Sequence, residues 1–298
     1  ARGEAGAGLL GLWSVDPAPL QGALRHPRPQ GGDFHGALPS ADLCTDNSGP
    51  VTYCVTKSRR TGAGDTSRER TRAEAGRCAV IPDMQPNDNT SAHPATQYDA
   101  EVRKVIPYYD AIQTETLDLV RGGFGEPAVW LDTGAGTGAL VERALPLFPG
   151  TRFVVADPSA AMLGQARQRL GGVPGDRVRF LEPTGSDGLP RQAPALRAQV
   201  VTAIMCHHYL EPEARRAAVR ACFEVLEPGG VLVVFENVEC ESARGRETGL
   251  RRWCEFQLRQ GRAPAAVEQH LARFGTELKP IRIAEHLALL REVGFASV

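Results

Sequence analysis

The sequence of 298 residues lacks several features that mark particular protein classes. No apolar run approaches the roughly 20 residues of a membrane-spanning helix, and the first residues lack the basic and apolar segments of a secretory signal. The net charge of −1 excludes a global field for nucleic acid or an anionic membrane. The seven cysteines are dispersed without a C-x-x-C pair, which argues against a disulfide framework or a zinc site. We therefore expect a cytoplasmic protein without a metal and without membrane association.

The first third of the chain differs in composition from the rest. Residues 1–90 are rich in Gly, Ala, Pro and Arg and show no hydrophobic periodicity, so we expect a low-complexity, disordered leader. A basic arm for nucleic acid, between Lys57 and Arg72, is the alternative. The first methionine is Met84, and we expect the functional protein to begin near it. Residues 91–298 then form one domain.

One stretch near the middle of the chain organises that domain. An apolar run at 129–131 ends in Asp132 and passes directly into glycines at 134, 136 and 138, and an amphipathic helical pattern follows. This order predicts a buried strand, a turn and a helix, and glycines let a ligand approach the backbone closely. The G-x-G-x-x-G spacing of a dinucleotide fingerprint is not met.

The pattern D-x-G-x-G-x-G at 132–138 resembles motif I of the class I S-adenosylmethionine (SAM) methyltransferases. A second apolar run ends in Asp157, and L-x-P-G-G at 226–230 precedes a further apolar strand, as in that superfamily. The resemblance covers residues 95–298 and implies a doubly wound, Rossmann-like and mostly parallel α/β sheet with SAM as cofactor. Within that superfamily, the YD segment at 98–99 and the IPYY segment at 106–109 indicate a closer resemblance to the carboxy-SAM synthases and wobble-uridine methyltransferases.

The resemblance also implies the residues that meet the cofactor. Asp157, at the end of the second strand, is placed to accept the ribose hydroxyls. Ser159 is expected to cap the following helix, and Met162 on that helix either packs on the adenine or is an ordinary core residue. The expected cofactor site comprises Asp132, Gly134, Gly136, Gly138, Asp157, Pro158, Met162, Ser186, Asp187 and Cys206.

Two neighbouring histidines are the candidate catalytic residues. His207 and His208 follow the apolar run at 200–205, and either imidazole could remove a proton from an acceptor, since histidine titrates near neutrality. Tyr109, Glu236 and Trp253 are expected to contact the acceptor. The first lies in the segment of two N-terminal helices that resembles a lid over the SAM pocket, in which Tyr98 and Tyr108 are further candidates.

A helical insertion at 241–282 follows the fifth strand of the predicted sheet. Its two helices, within 247–275, are expected to cap the acceptor pocket because that strand ends on the ligand side of the sheet. Residues 295–298 begin one more strand, so the C-terminal hairpin of the resembling fold looks truncated, without its antiparallel seventh strand.

The predicted function is transfer of the SAM methyl group to an oxygen or nitrogen of a small molecule or an RNA. Two alternatives stay open. One is a SAM-binding scaffold or pseudoenzyme without catalysis, and the other is a nicotinamide-dependent oxidoreductase. The sequence does not name the acceptor.

Overall fold

The structure, a computed structural model, describes residues 51–57 and 90–297. The rest of the expected leader, including Met84 and most of the basic run, lies outside the described residues. No helix in the described part is long and apolar enough to span a bilayer. The strands there are β1 (Val51–Lys57), β2 (Val129–Thr133), β3 (Arg152–Ala156), β4 (Val178–Phe180), β5 (Ala198–Ile204), β6 (Leu226–Glu236), β7 (Val238–Glu239), β8 (Ile281–Arg282) and β9 (Phe295–Ser297).

Helices alternate with these strands, as expected for a doubly wound fold. They are α1 (Tyr98–Val105), α2 (Tyr109–Phe124), α3 (Ala139–Ala144), α4 (Ala160–Leu170), α5 (Leu189–Gln192), α6 (Pro212–Val225), α7 (Ala243–Arg259), α8 (Pro264–Leu271) and α9 (Ile283–Val293). Ser159 caps α4 as predicted, because its side chain accepts a hydrogen bond from the backbone N–H of Met162 at 3.0 Å.

The main sheet has the strand order β4-β3-β2-β5-β6-β1-β9. The five strands from β4 to β6 are parallel to their neighbours, which confirms the predicted Rossmann-like fold. The order reverses at β2, and open α/β sheets bind ligands at the carboxyl ends of the strands next to such a reversal. The glycine loop follows β2, and His207 and His208 follow β5, so both predicted sites lie at this edge.

Side chains of the central strands alternate between the two faces of the sheet. Leu131 and Val201 belong to one buried cluster, and Trp130 and Val200 belong to the other. Because both faces are covered by helices, the strands are almost continuously apolar, which made them recognisable in the sequence.

The expectation that residues 1–90 contain no ordered element is wrong for β1. This strand pairs antiparallel with β6 on one side and with β9 on the other. It occupies the antiparallel position that we expected to be empty. The ammonium group of Lys57 fixes its end by donating to the carbonyl oxygens of Phe223 and Leu226 at 2.8 Å each. These carbonyls lie at the carboxyl end of α6, where a positive charge is favourable.

The helical insertion is present and consists of α7 and α8. Its two ends are joined by a second, two-stranded parallel sheet in which Val238 pairs with Ile281. This pairing closes the insertion at its base and holds α7 and α8 over the carboxyl end of the main sheet.

Candidate active site

The loop after β2 contains three glycines in the left-handed conformation, and each has a different structural reason. φ is 64° at Gly134, 56° at Gly136 and 76° at Gly138, a region that glycine adopts readily. A Cβ at Gly134 would lie 2.4 Å from the Cβ of Cys206, and one at Gly138 would lie 3.2 Å from the Cβ of Ala166 on α4. A Cβ at Gly136 would meet nothing within 4 Å. Gly136 therefore borders open space for a ligand, whereas the other two permit close packing inside the protein.

A carboxylate from the neighbouring strand is fixed against this loop. Asp157 follows β3, and its Oδ2 accepts a hydrogen bond from the backbone N–H of Gly136 at 2.8 Å. Its Oδ1 accepts another from the backbone N–H of Ser159 at 2.9 Å. The two bonds hold the carboxylate beside the open space at Gly136, where α/β nucleotide-binding folds place an acid for the ribose.

Asp132 lies beneath the loop and is only 2% exposed. Its Oδ1 accepts a hydrogen bond from Thr202 Oγ1 at 2.6 Å. Burial and the charge of Asp157 together raise the pKa of Asp132 to about 7. The hydrogen bond from Thr202 opposes part of this shift. A cation bound at the loop would favour the ionised carboxylate. The loop region therefore suits a ligand that combines a ribose with a positive charge, and the residues present fit SAM.

Two further residues expected at the cofactor site support the loop from inside the protein. Ser186 is buried, and its Oγ lies 2.9 Å from Thr133 Oγ1 and 2.9 Å from Nε2 of His207. Cys206 packs under Gly134, with its Sγ 3.5 Å from the carbonyl oxygen of Thr133. Both side chains use their polar atoms on the protein, which favours a supporting role.

The other expected cofactor residues have mixed placements. Met162 is buried on α4, whereas Pro158 and Asp187 are exposed. Their contact with a cofactor stays a prediction.

A cavity of about 330 Å³ opens beside the loop, at the carboxyl ends of β5 and β6. Its walls come from α1, the residues that follow β5 and β6, and the insertion helices α7 and α8. Met205 and Tyr108 both line it and have φ values of 55° and 60°. Such a conformation costs a non-glycine residue about 1–3 kcal/mol and is typical of functional sites. The volume is that of a small-molecule pocket.

His208 lines this cavity, and a buried carboxylate holds its ring. Its Nδ1 lies 2.8 Å from Oε2 of Glu236. The two carboxylate oxygens of Glu236 also accept hydrogen bonds from the backbone N–H groups of His207 and His208, at 2.9 Å each. Burial alone would raise the pKa of Glu236, but the hydrogen bond from His208 and the charges of nearby histidines bring it below its usual value. Glu236 is therefore an acceptor, so Nδ1 of His208 is the donor. No described residue hydrogen-bonds Nε2, which leaves its lone pair for a ligand.

The two histidines, expected as equivalent candidates, differ in the structure. His207 is 1% exposed and does not line the cavity; its Nε2 contacts Ser186 instead. Burial lowers its pKa, so the ring is neutral. Glu236 also lies away from the cavity, contrary to its expected contact with the acceptor, because its carboxylate is directed at His208 and two backbone N–H groups. His207 therefore supports the loop, and Glu236 orients the ring of His208.

Tyr109 was also expected to contact the acceptor, but the structure does not place it in the cavity wall. Its two neighbours in the predicted lid, Tyr98 and Tyr108, line the cavity. The left-handed conformation of Tyr108 turns the chain between α1 and α2, so that the ring of Tyr109 lies against the guanidinium of Arg103 at 5.5 Å. Trp253 does lie in the wall, as expected.

Helix α1 is attached at both ends and forms a wall shared by the loop and the cavity. At its start, Asp99 accepts a hydrogen bond from Thr137 Oγ1 of the glycine loop at 2.8 Å and pairs with Arg169 of α4. At its end, the indole N–H of Trp253 donates to the carbonyl oxygen of Val105 at 2.7 Å. These contacts of Asp99, Thr137 and Arg169 were not predicted, since no local pattern marks side chains that meet across the fold.

Comparisons with known proteins agree with this geometry. The family model of a methyltransferase domain matches residues 131–232. The chain is 26% identical over 208 residues to carboxy-S-adenosyl-L-methionine synthase of Methylococcus capsulatus. The match covers 68% of this chain and 84% of the relative. The chain is 25% identical to the synthase of Pseudomonas fluorescens, over 78% of this chain and 93% of the relative.

Among solved structures, an O-methyltransferase family protein from Burkholderia thailandensis is 18% identical, with a TM-score of 0.48. The match covers 66% of this chain and 53% of that one, so the chain spans about half the length of this neighbour. The family model and the sequence relatives, together with motif I and the acid after β3, carry the assignment. Residues 131–232 match a methyltransferase domain, and these findings together support a member of the class I SAM-dependent methyltransferase superfamily, an enzyme with SAM as its cofactor.

Proposed function

We propose that this enzyme transfers the methyl group of SAM to an oxygen or nitrogen of an acceptor bound in the cavity, with His208 as general base. The observation that carries the proposal is the pair of His208 and Glu236: the imidazole lines the cavity while its far nitrogen is held by a buried carboxylate. The small volume favours a small molecule, or one exposed group of an RNA, as acceptor.

The chain's own residues align the reactants and move one proton. When bound, SAM supplies a methyl group that its sulfonium already activates. Gly136 would admit its amino-acid end near the backbone, Asp157 would hold the ribose, and Asp132 would balance the positive charge. His208 Nε2 takes the proton that the acceptor loses, and Glu236 stabilises the imidazolium that forms. The cap helices and α1 exclude water around these groups.

We also propose that the catalytic unit comprises residues 91–298 together with β1, with the insertion at 241–282 as its cap. A reducing compartment such as the cytoplasm suits it, since the thiols of Cys206, Cys222 and Cys254 form no disulfide with any described residue.

The test is a methyl-transfer assay with the full chain, SAM and a small-molecule cell extract, read by mass spectrometry. Formation of S-adenosylhomocysteine together with a methylated product is expected. The His208→Gln variant should bind S-adenosylhomocysteine as the parent protein does and form product about 10²–10⁴ times more slowly. Binding of SAM with no product from small-molecule or RNA extracts would support the scaffold alternative, and an unimpaired variant would remove His208 from its role. The nicotinamide-dependent oxidoreductase alternative does not agree with the family assignment.

A second candidate function comes from the names of the sequence relatives. Both relatives described above are carboxy-SAM synthases, so this chain would modify SAM itself. The same assay separates the two candidates. A carboxylated form of SAM without methylated acceptor would favour the synthase, and S-adenosylhomocysteine with a methylated acceptor would favour the methyltransferase.

A further inference from the structure

Two histidines that the catalytic proposal does not use line the outer part of the cavity. His93 lies ahead of α1 and His270 lies on α8, and their rings stack with centroids 6.2 Å apart and an interplanar angle of 19°. The edge of Trp253 meets His270 at 5.1 Å. The two imidazoles therefore lie side by side where the segment ahead of α1 meets the cap.

Neither ring has a hydrogen-bond partner among the residues that the structure describes. Nε2 of His93 and Nδ1 of His270 are enclosed without one, and no described residue bonds the second nitrogen of either ring. His270 is only 7% exposed. A neutral imidazole carries one N–H donor, and leaving a buried donor unpaired costs about 1–3 kcal/mol. Two such groups side by side in a cavity wall indicate that a ligand provides the missing acceptor.

The charges around the pair indicate what kind of acceptor atom fits. Burial, together with the charges of the Arg262 and Arg273 guanidinium groups, lowers the pKa of His270 to about 3. The pKa of His93 is lowered in the same way, with Lys104 adding to the effect and Glu101 opposing it. Both rings are therefore neutral in the unliganded protein, because burial and the nearby positive charges both disfavour their protonated forms.

Arg273 lines the cavity, as do three other arginines, and its charge acts on His270. Its side chain is 11% exposed, whereas that of its partner Glu277 is 64% exposed, with Nε and Oε2 2.8 Å apart. The carboxylate is therefore screened by water on the outside, while the guanidinium contributes positive potential inside the cavity. An anionic oxygen would accept the imidazole N–H groups and be attracted by Arg273.

We propose that His93, His270 and Arg273 form an anion-binding subsite that recognises a carboxylate or a phosphate group of the acceptor. This inference rests on the proposed function, since it takes the cavity to be the acceptor site. The anion would lie between the segment ahead of α1 and helix α8 of the cap. It would thereby orient the rest of the acceptor toward the base, so the subsite would select acceptors that carry an acidic group.

The test is calorimetric titration of the full chain, saturated with S-adenosylhomocysteine, with benzoate, phenyl phosphate and benzyl alcohol. The first two share the anionic oxygen and the third is a neutral analogue. We expect at least one anion to bind about tenfold or more tightly than the alcohol, and the tighter of the two identifies the group as carboxylate or phosphate. The double variant His93→Phe/His270→Phe keeps two flat rings but removes their N–H groups, and should lose this preference.

Arg259→Gln is the matched control, because it removes an exposed positive charge from the cavity rim without touching the pair. It should retain the preference for an anion. The proposal is overturned if the parent protein binds the alcohol as tightly as the anions, or if the folded double variant, checked by binding of S-adenosylhomocysteine, keeps its anion affinity. Selective anion binding in a protein that transfers no methyl group would leave the subsite standing and contradict the proposed function instead.

Discussion

On the cofactor side of the sheet edge, Asp132 lies in β2, the glycine loop follows that strand and Asp157 follows β3. The two strands are adjacent in both sequence and space. On the acceptor side, the cavity takes its walls from segments spread between residues 91 and 278. The bond from Gly136 to Asp157 joins residues 21 positions apart, whereas the bond from Trp253 to Val105 joins residues 148 positions apart. The two halves thus meet at one edge but differ in how they are assembled.

The difference explains why the halves can vary independently. A strand, turn and helix that contact each other locally depend little on the rest of the chain. The cofactor side can therefore be recognised from a short sequence motif. The acceptor side depends on how α1, α7 and α8 pack, and side-chain changes there alter the cavity without disturbing the loop. Variants confined to one half should therefore change one binding function and leave the other intact.

The largest effect should come from Glu236→Gln, on the acceptor side. The variant removes the charge that stabilises a protonated His208, so we expect kcat to fall by about 10²–10⁴ while the affinity for S-adenosylhomocysteine holds. Turnover of the acceptor found in the extract assay, with calorimetry for the product, measures both. His207→Gln is the control and should reduce kcat far less. Equal losses in both variants would show that the His208 pair is only structural.

A pH effect should distinguish the cofactor side. The carboxyl of Asp132 titrates near 3.8 when unfolded and near 7 when folded, so the folded protein binds the proton more tightly between these values. Its stabilising contribution to the free energy of unfolding is complete below about pH 4 and is lost as pH rises through about 7. At about 1.4 kcal/mol per pKa unit, the loss is at most about 4 kcal/mol. Urea unfolding of the parent and of Asp132→Asn from pH 5 to 8.5 measures it. A parallel decline in both proteins would contradict the assignment.

Asp157→Ala should weaken SAM binding and leave the cavity unchanged. Loss of a charged acceptor for the ribose should cost about 1.5–3 kcal/mol of binding free energy, which calorimetry with SAM measures. Asp176→Ala is the matched control, since that exposed acid lies ahead of β4, at the end of the strand opposite the glycine loop. If Asp157→Ala alters acceptor affinity as strongly as SAM affinity, the cofactor side and the acceptor side are not independent.

The smallest effect should come from Trp253→Phe, which keeps an aromatic ring but removes the N–H that joins the cap to α1. A single neutral hydrogen bond contributes about 0.5–1.5 kcal/mol, so the acceptor KM should rise roughly 2- to 10-fold. SAM affinity should stay constant. A variant that loses SAM affinity and thermal stability together would show that the cap is structural packing for the whole domain.

Much of the fold followed from local pattern. The strand ending in Asp132, the strand ending in Asp157, the Ser159 cap and the helices of the insertion were all predicted, because apolar runs, glycines and caps act within a few residues. The strand Val51–Lys57 was not predicted. It is stable only when paired with β6 and β9, and a short strand without its partners has little signal of its own.

The sequence by itself determined the cofactor side: which strand carries the glycine loop, and which acid stands beside it, because residues close in the chain make those contacts. Only the tertiary structure decided that Gly136 borders open space while Gly134 accommodates Cys206. It also decided that His208, and not His207, lines the cavity. These outcomes depend on packing between distant segments, which brings Glu236 to one histidine and Ser186 to the other, and no periodicity in the chain records which side chains will meet.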